Sequence, residues 1–224
     1  MKIKYLGHSS FLIEGQTPTG ENVRLVTDPY NPDSVGFKYP SVSADIITSS
    51  HEGHGDHDWY EGVSGIDGKK PVIINTPGEY EAHGLSILGL KSYHDDKKGA
   101  ERGLNTIYTY DFNVAKVAHL GDIGHLPNSS ILEALNDTEI LFIPVGGKYT
   151  IGPKRAMEII EGIEPLIVIP MHYKTKKHSE TFEELSTLDD FLKEVGEKAN
   201  PIKELKIKSK TDLPPELTFI TLEN

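Results

Sequence analysis

The sequence predicts an α/β fold, in a pattern that suits two β-sheets packed face to face with helices outside. Two observations carry this. The first half is a succession of short alternating strand segments, and the second half interleaves helical segments with short apolar runs. Other α/β layouts satisfy the same periodicity.

In order along the chain, Ile3–Leu6, Ser10–Glu14, Val23–Asp28, Asp45–Ser49 and Val72–Asn75 read as strands. Gly15-Gln16-Thr17-Pro18-Thr19-Gly20 turns the second into the third as a hairpin. Leu85–Tyr93, Thr106–Asp111 and Val114–Leu120 continue the pattern, with Phe112-Asn113 as a tight turn. Ser129–Leu135, Pro153–Gly162 and Thr181–Val195 read as helices, the second opening on a proline suited to a first helical position. Between them, Ile140–Val145 and Leu166–Pro170 are short enough to be buried strands, and Glu204–Lys208 and Leu217–Leu222 supply two more.

At 224 residues, with 37% hydrophobic and 25% charged residues, the composition is globular, and we expect residues 1–224 to form a single domain. No segment approaches the roughly 18 apolar residues of a membrane helix. The N-terminus runs straight into strand-like sequence without a signal-peptide core, so a cytoplasmic location is the default expectation. With no cysteine, any metal must be held by imidazole and carboxylate, a donor set that suits zinc, manganese, iron or nickel. A formal charge of -11 argues against nucleic acid as a partner, and the basic run Lys174-Thr175-Lys176-Lys177-His178 reads as a solvated loop.

Chemistry concentrates in Ser50-His51-Glu52-Gly53-His54-Gly55-Asp56-His57-Asp58, directly after an apolar strand. Three histidines and an aspartate flanked by glycines can converge on an ion where a strand end becomes a loop. His94, Asp122 and His172 each follow another strand candidate. One such residue is an ordinary strand end; four in succession describe a site along one edge of stacked sheets.

These segments resemble the metallo-β-lactamase superfamily, and look closest to its small hydrolases of the ascorbate-6-phosphate lactonase-like branch. Tyr5-Leu6-Gly7-His8-Ser9-Ser10-Phe11, Thr27-Asp28-Pro29, the His51–His57 loop, Pro77-Gly78-Glu79-Tyr80-Glu81 and His94-Asp95-Asp96 match in order. So do Gly99-Ala100-Glu101-Arg102-Gly103, His119-Leu120-Gly121-Asp122-Ile123-Gly124-His125, Pro144-Val145-Gly146-Gly147 and Pro170-Met171-His172-Tyr173. The resemblance implies a four-layer αββα sandwich and two divalent metal ions, zinc first, with manganese or iron as alternatives. By the family's pattern one ion takes His51, His54 and His94, the other takes Asp56, His57 and His172, and Asp122 bridges them. Asp28 would hold loop ligands in place. Asp56 would orient the attacking metal-bound hydroxide and pass a proton to the leaving group.

The family motif spaces its first two histidines two apart; here Glu52-Gly53 makes it three. Gly53 can absorb the extra residue as a bulge and keep His51 in place, and otherwise His51 is displaced. His8, His119 and His125 stand in matching motifs as substrate contacts or supports of the ligands, which the sequence does not separate. His83 and His178 read as surface residues. The expected substrate is a small anionic ester, lactone or phosphodiester, with Lys97, Lys98 and Arg102 available to its anionic group. A metal-binding sensor without catalysis is the alternative, and a nuclease a weaker one.

Overall fold

Alternating apolar residues fold Lys2–Gly7 (β1), Ser10–Gln16 (β2) and Asn22–Thr27 (β3) into an antiparallel meander in the computed structural model, which describes residues 1–224. A short helix, Pro32–Val35 (α1), begins at Asn31, whose side chain accepts from the Asp33 N–H. Then come Val42–Ala44 (β4), Ile46–Thr48 (β5), Val63–Gly65 (β6), Val72–Ile74 (β7), Gly78–Ala82 (β8), Leu85–Tyr93 (β9), Leu104–Asp111 (β10) and Lys116–His119 (β11). The rest of the chain alternates helix and strand through Ser129–Leu135 (α2), Ile140–Pro144 (β12), Pro153–Ile163 (α3), Ile167–Met171 (β13) and Leu188–Glu194 (α4). It closes with the short strands Leu205–Lys206 (β14) and Thr218–Phe219 (β15).

Two mixed sheets result. The first has the order β14-β1-β2-β3-β5-β7 and the second β15-β13-β12-β11-β10-β9-β8, with β4 and β6 as a separate small ladder. The fold is the expected α/β arrangement of two packed sheets. Between them lies the main core, in which Phe11 of β2 stacks on Phe142 of β12 at 4.1 Å between ring centroids. Truncating either ring to alanine would cost about 3–5 kcal/mol, because the facing sheet cannot collapse into the gap.

The helical cover is uneven. Ala156, Ile159, Ile160 and Ile163 of α3 recur at helical spacing and share one buried cluster with the second sheet, as do residues of α2 and α4. The outer face of the first sheet is covered instead by Tyr30, Val35, Tyr39, Val42 and Val63, contributed by α1, loops and the small ladder. The helix expected over Thr181–Val195 is broken. Glu180–Phe182 is a 3-10 turn, and α4 starts afresh where Thr187 and Asp190 form a capping box. No helix is long and apolar enough to cross a membrane.

Topology places the chemistry. In the first sheet β1, β3 and β5 run the same way, and in the second β9, β11 and β13 do. The C-terminal ends of these six strands lead directly to His8, Asp28, His51, His94, Asp122 and His172. A backbone hydrogen bond of 2.8 Å from His172 N–H to the His8 carbonyl ties the two sheets together at that edge.

Candidate metal centre

Asp122 stands at the middle of the cluster. Its Oδ2 lies 3.3 Å from Nε2 of His57, 3.4 Å from Nε2 of His94 and 3.1 Å from Nε2 of His172. The turn that aims it follows β11: Asp122 N–H donates to Asn105 Oδ1 at 2.8 Å, and the Asn105 amide donates to the Leu120 carbonyl. Gly121 makes the turn at φ 55, where a Cβ would fall 2.4 Å from both Asn105 Oδ1 and Ser50 Cβ. No side chain fits there.

Asp28 decides which nitrogens face the centre. Its carboxylate accepts from Ser50 N–H at 2.7 Å, from Ser50 Oγ at 2.7 Å and from Nδ1 of His57 at 2.8 Å. Nδ1 of His57 therefore carries a proton, which turns its Nε2 towards Asp122. Ser50 Oγ has given its own proton to Asp28, so at 3.1 Å it accepts from Nδ1 of His51. With its one proton on Nδ1, Nε2 of His51 is bare. Both atoms are buried without a partner, as are Nδ1 of His94, Nδ1 of His172, Oδ1 of Asp56 and Oδ1 of Asp122.

One ligand-type atom from each of His51, His57 and Asp122 lies within 4.8 Å of the others. Burial pushes the His51 pKa down to about 3, with His57 adding to the shift, which keeps its imidazole neutral. At His57 burial acts in the same direction but is outweighed by Asp122, Asp56 and Asp28, which raise its pKa well above the ordinary value, so its Nε2 also holds a proton that a bound cation would displace. Burial alone would raise Asp122 as well, yet His172 and His57 hold it well below the carboxylate range. Buried carboxylates and imidazole nitrogens converging on one point fit divalent cations, and the donor set has no sulfur.

A family model for a beta-lactamase superfamily domain matches residues 2–172, which spans every one of these side chains.

The chain belongs to the metallo-β-lactamase superfamily.

Its similarity to a solved candidate Zn-dependent hydrolase of this superfamily from Thermotoga maritima is 32% in sequence, with a TM-score of 0.77 over 99% of this chain and 98% of that one. It is 29% identical to a UPF0173 metal-dependent hydrolase of Thermococcus onnurineus, over 90% of this chain and 95% of the relative. A second UPF0173 metal-dependent hydrolase, from Pelotomaculum thermopropionicum, is 28% identical over 78% and 85%.

Against the superfamily motif, the extra residue at Glu52-Gly53 acts on His54 rather than on His51. Gly53 takes φ +100, as a bulge requires, and the Asp58 carboxylate clamps the loop by accepting from Gly53 N–H at 2.7 Å and Gly55 N–H at 3.0 Å. His51 stays buried, its ring 4.3 Å from that of His57 and 4.9 Å from that of His94. His54 is exposed at the rim, 5.7 Å from the His51 ring and 6.5 Å from the His94 ring. Asp56 sits partly exposed, its Oδ2 3.9 Å from Nε2 of His57.

The remaining histidines separate by their hydrogen bonds. Nε2 of His119 donates to the Ser9 carbonyl at 2.8 Å while its Nδ1 accepts from Gly121 N–H at 3.1 Å. Nδ1 of His125 donates to the Leu126 carbonyl, and its Nε2 accepts from Ser92 Oγ and Tyr93 N–H. Both rings are fully engaged with the protein, so they support turns and leave nothing for a substrate. His83 is exposed. The expectation of a surface position for His178 is wrong: it is buried, packed by Phe37 and Phe182 and bonded to His8.

The centre opens into a cavity of about 480 Å³ lined by His54, Asp56, His94, Asp122 and His172, with Arg102, Tyr149 and Phe182 on its walls. Arg102 lies 5.7 Å over the Tyr149 ring. Its loop is shaped by Asp95, whose carboxylate accepts from the N–H groups of Lys97, Gly99, Glu101 and Arg102. Lys97 pairs with Glu101 on the surface, and neither it nor Lys98 lines the cavity. Nothing local in the sequence marks Asn105, the orienting hydroxyl of Ser50, or the His8–His178 contact.

Proposed function

We propose that the protein is a metal-dependent hydrolase that cleaves a small anionic ester, lactone or phosphodiester. The observation that carries the reading is the Asp28–Ser50 network, which turns Nε2 of His51 and of His57 towards the point where Asp122 also meets His94 and His172. Divalent cations there would be held by His51 and His94, with His54 at the rim, and by Asp56, His57 and His172, with Asp122 between. Zinc suits the donors best, and manganese or iron fit the same set. Such ions supply a Lewis acid and lower the pKa of water to near neutrality.

The chain's own residues supply the rest. Asp56 lines the cavity, able to take the proton of the attacking water and return it to the leaving oxygen. Phe182 forms an apolar wall of the cavity beside His172, 6.3 Å between ring centroids. Arg102 is the one lysine or arginine on the cavity wall and would bind the substrate's phosphate or carboxylate. An anionic lactone of the ascorbate-6-phosphate type is therefore a natural member of the test panel. A long polyanion such as RNA would leave the cavity and meet a chain of net charge -11, losing most of its counterion-release gain.

The test is a panel of phosphorylated lactones, phosphodiesters, simple esters and structured RNAs, with zinc or manganese added. Turnover of small anionic compounds, lost in His57→Ala, is expected. Turnover of RNA alone would contradict the substrate class, and no turnover beside tight metal binding would favour a sensor.

A further inference from the structure

His8 and His178, 170 positions apart in sequence, meet at 3.2 Å between Nδ1 of His8 and Nε2 of His178. Which atom donates is settled by the backbone behind them. Thr175 N–H, which can only donate, reaches Nδ1 of His178 at 3.1 Å. Thr175 Oγ1 accepts from Lys177 N–H at 3.3 Å and gives its own proton to the same Nδ1 at 2.9 Å. Nδ1 of His178 is thus an acceptor, so its ring proton is on Nε2. That proton goes to Nδ1 of His8. The proton of His8 must then lie on Nε2.

Nε2 of His8 is buried, has no protein partner and lies 4.0 Å from Oδ2 of Asp56, whose Oδ1 is also buried and unpartnered. The His8 ring is held firmly. It lies 4.2 Å from the His172 ring and 4.9 Å from Phe182, and its carbonyl accepts from Tyr5 OH and His172 N–H. Its backbone is fixed at φ +55, a region that non-glycine residues enter only when the surroundings impose it.

Ligand-type atoms of His8, His57 and His172 come within 4.8 Å of one another, which on distances alone makes a three-histidine metal site. The proton count argues against it. Ligation through Nε2 would move the His8 proton to Nδ1, force His178 to accept on Nε2, and leave a protonated Nδ1 of His178 facing the Thr175 N–H. Two donors would then be opposed in a buried contact.

We propose that the chain Thr175–His178–His8 fixes His8 as an N–H donor to the Asp56 carboxylate, making His8 a positioning residue for Asp56 and not a metal ligand. This rests on the role given to Asp56 under Proposed function. Turning the Asp56 carboxylate by about an ångström brings its oxygen within the roughly 3 Å of a hydrogen bond. Asp56 then keeps its other oxygen for the centre.

Two-bond ¹H–¹⁵N correlation spectra of the zinc-loaded protein read the tautomers directly. Protonated Nε2 and bare Nδ1 are expected on both His8 and His178. A His8 ring with bare Nε2 that shifts on zinc addition would overturn the proposal. His178→Phe should weaken one of two zinc equivalents about 10-fold, the usual effect of losing an outer hydrogen bond to a metal site. His8→Gln, which keeps an N–H near the position of Nε2, should bind both equivalents within a few-fold of wild type, whereas His8→Leu should not. Loss of a whole equivalent in His8→Gln would mean that His8 ligates. Asp56→Ala separates the two readings: unchanged zinc binding there sinks the centre itself, whereas weakened binding beside the wrong His8 tautomer sinks only the relay.

Discussion

Replacing Asp28 by asparagine changes one oxygen to NH₂ and tests how the centre is held. Asparagine tolerates the φ of +41 at this position, so the backbone has no reason to move. Its remaining oxygen can keep the Ser50 N–H bond, and Ser50 Oγ can rotate to accept from the new NH₂. Nδ1 of His57 has no such option. Either its proton stays, facing a second donor in a buried site at about 1–3 kcal/mol, or the ring keeps its proton on Nε2, the atom that a cation needs bare. Both routes weaken metal binding, and losses of outer partners of this kind run at about 10–100-fold, or about 1.4–2.7 kcal/mol. Zinc titration against a competing chelator measures the affinity, with thermal unfolding to confirm that the variant is folded. Wild-type affinity for both equivalents, within about two-fold, in folded Asp28→Asn would refute the tautomer argument.

Gly53→Val places a β-branched residue at φ +100, where strain of about 1–3 kcal/mol rather than collision opposes it, since nothing lies within 4 Å of the added Cβ. Metal analysis should find the ion beside His51 and His94 depleted and the other retained; equal loss of both would disprove a local bulge. Arg102→Met should raise KM for anionic substrates about 10–100-fold through loss of a charge-assisted hydrogen bond, with neutral esters unaffected. Equal effects on both substrate classes would remove Arg102 from recognition. Asp95→Asn should loosen the loop that carries Arg102. Burial pushes the Asp95 pKa up, but the four N–H donors outweigh it and hold it at about 2, below its ordinary 3.8. A depressed carboxyl stabilises the fold above its unfolded pKa, so the stability gap between wild type and variant should be full at pH 7. It should shrink as pH falls from about 4 to 2, and a gap that grows on acidification would contradict this.

Much of this fold is written locally. Most strands of both sheets carry their alternation or their apolar runs in the sequence, α2 announces itself by its spacing, and α3 by its spacing and by Pro153 at its first helical position. What escapes is short or exposed. The edge strand β8 has only half-buried Tyr80 as a large apolar residue, and β4 and β6 are three residues each. The proposed ligands could be picked out because each follows a strand and differs in chemistry from its neighbours. His8, His119 and His125 cannot be ranked by sequence, because their roles depend on which carbonyls and amides face each ring nitrogen. The burial of His178 is hidden from the sequence for the same reason. It follows exposed Lys176 and Lys177, and its burial comes from Phe37, Phe182 and His8, none of them near in sequence except Phe182.

The most direct test of the account is anomalous scattering from crystals of the protein grown with zinc. Two peaks about 3.5–4 Å apart on either side of the Asp122 carboxylate are expected. One should lie within about 2.0–2.1 Å of His51 and His94 nitrogens and the other within that distance of His57 and His172 nitrogens. A single peak, or peaks remote from Asp122, would contradict a two-ion centre at this edge of the sheets.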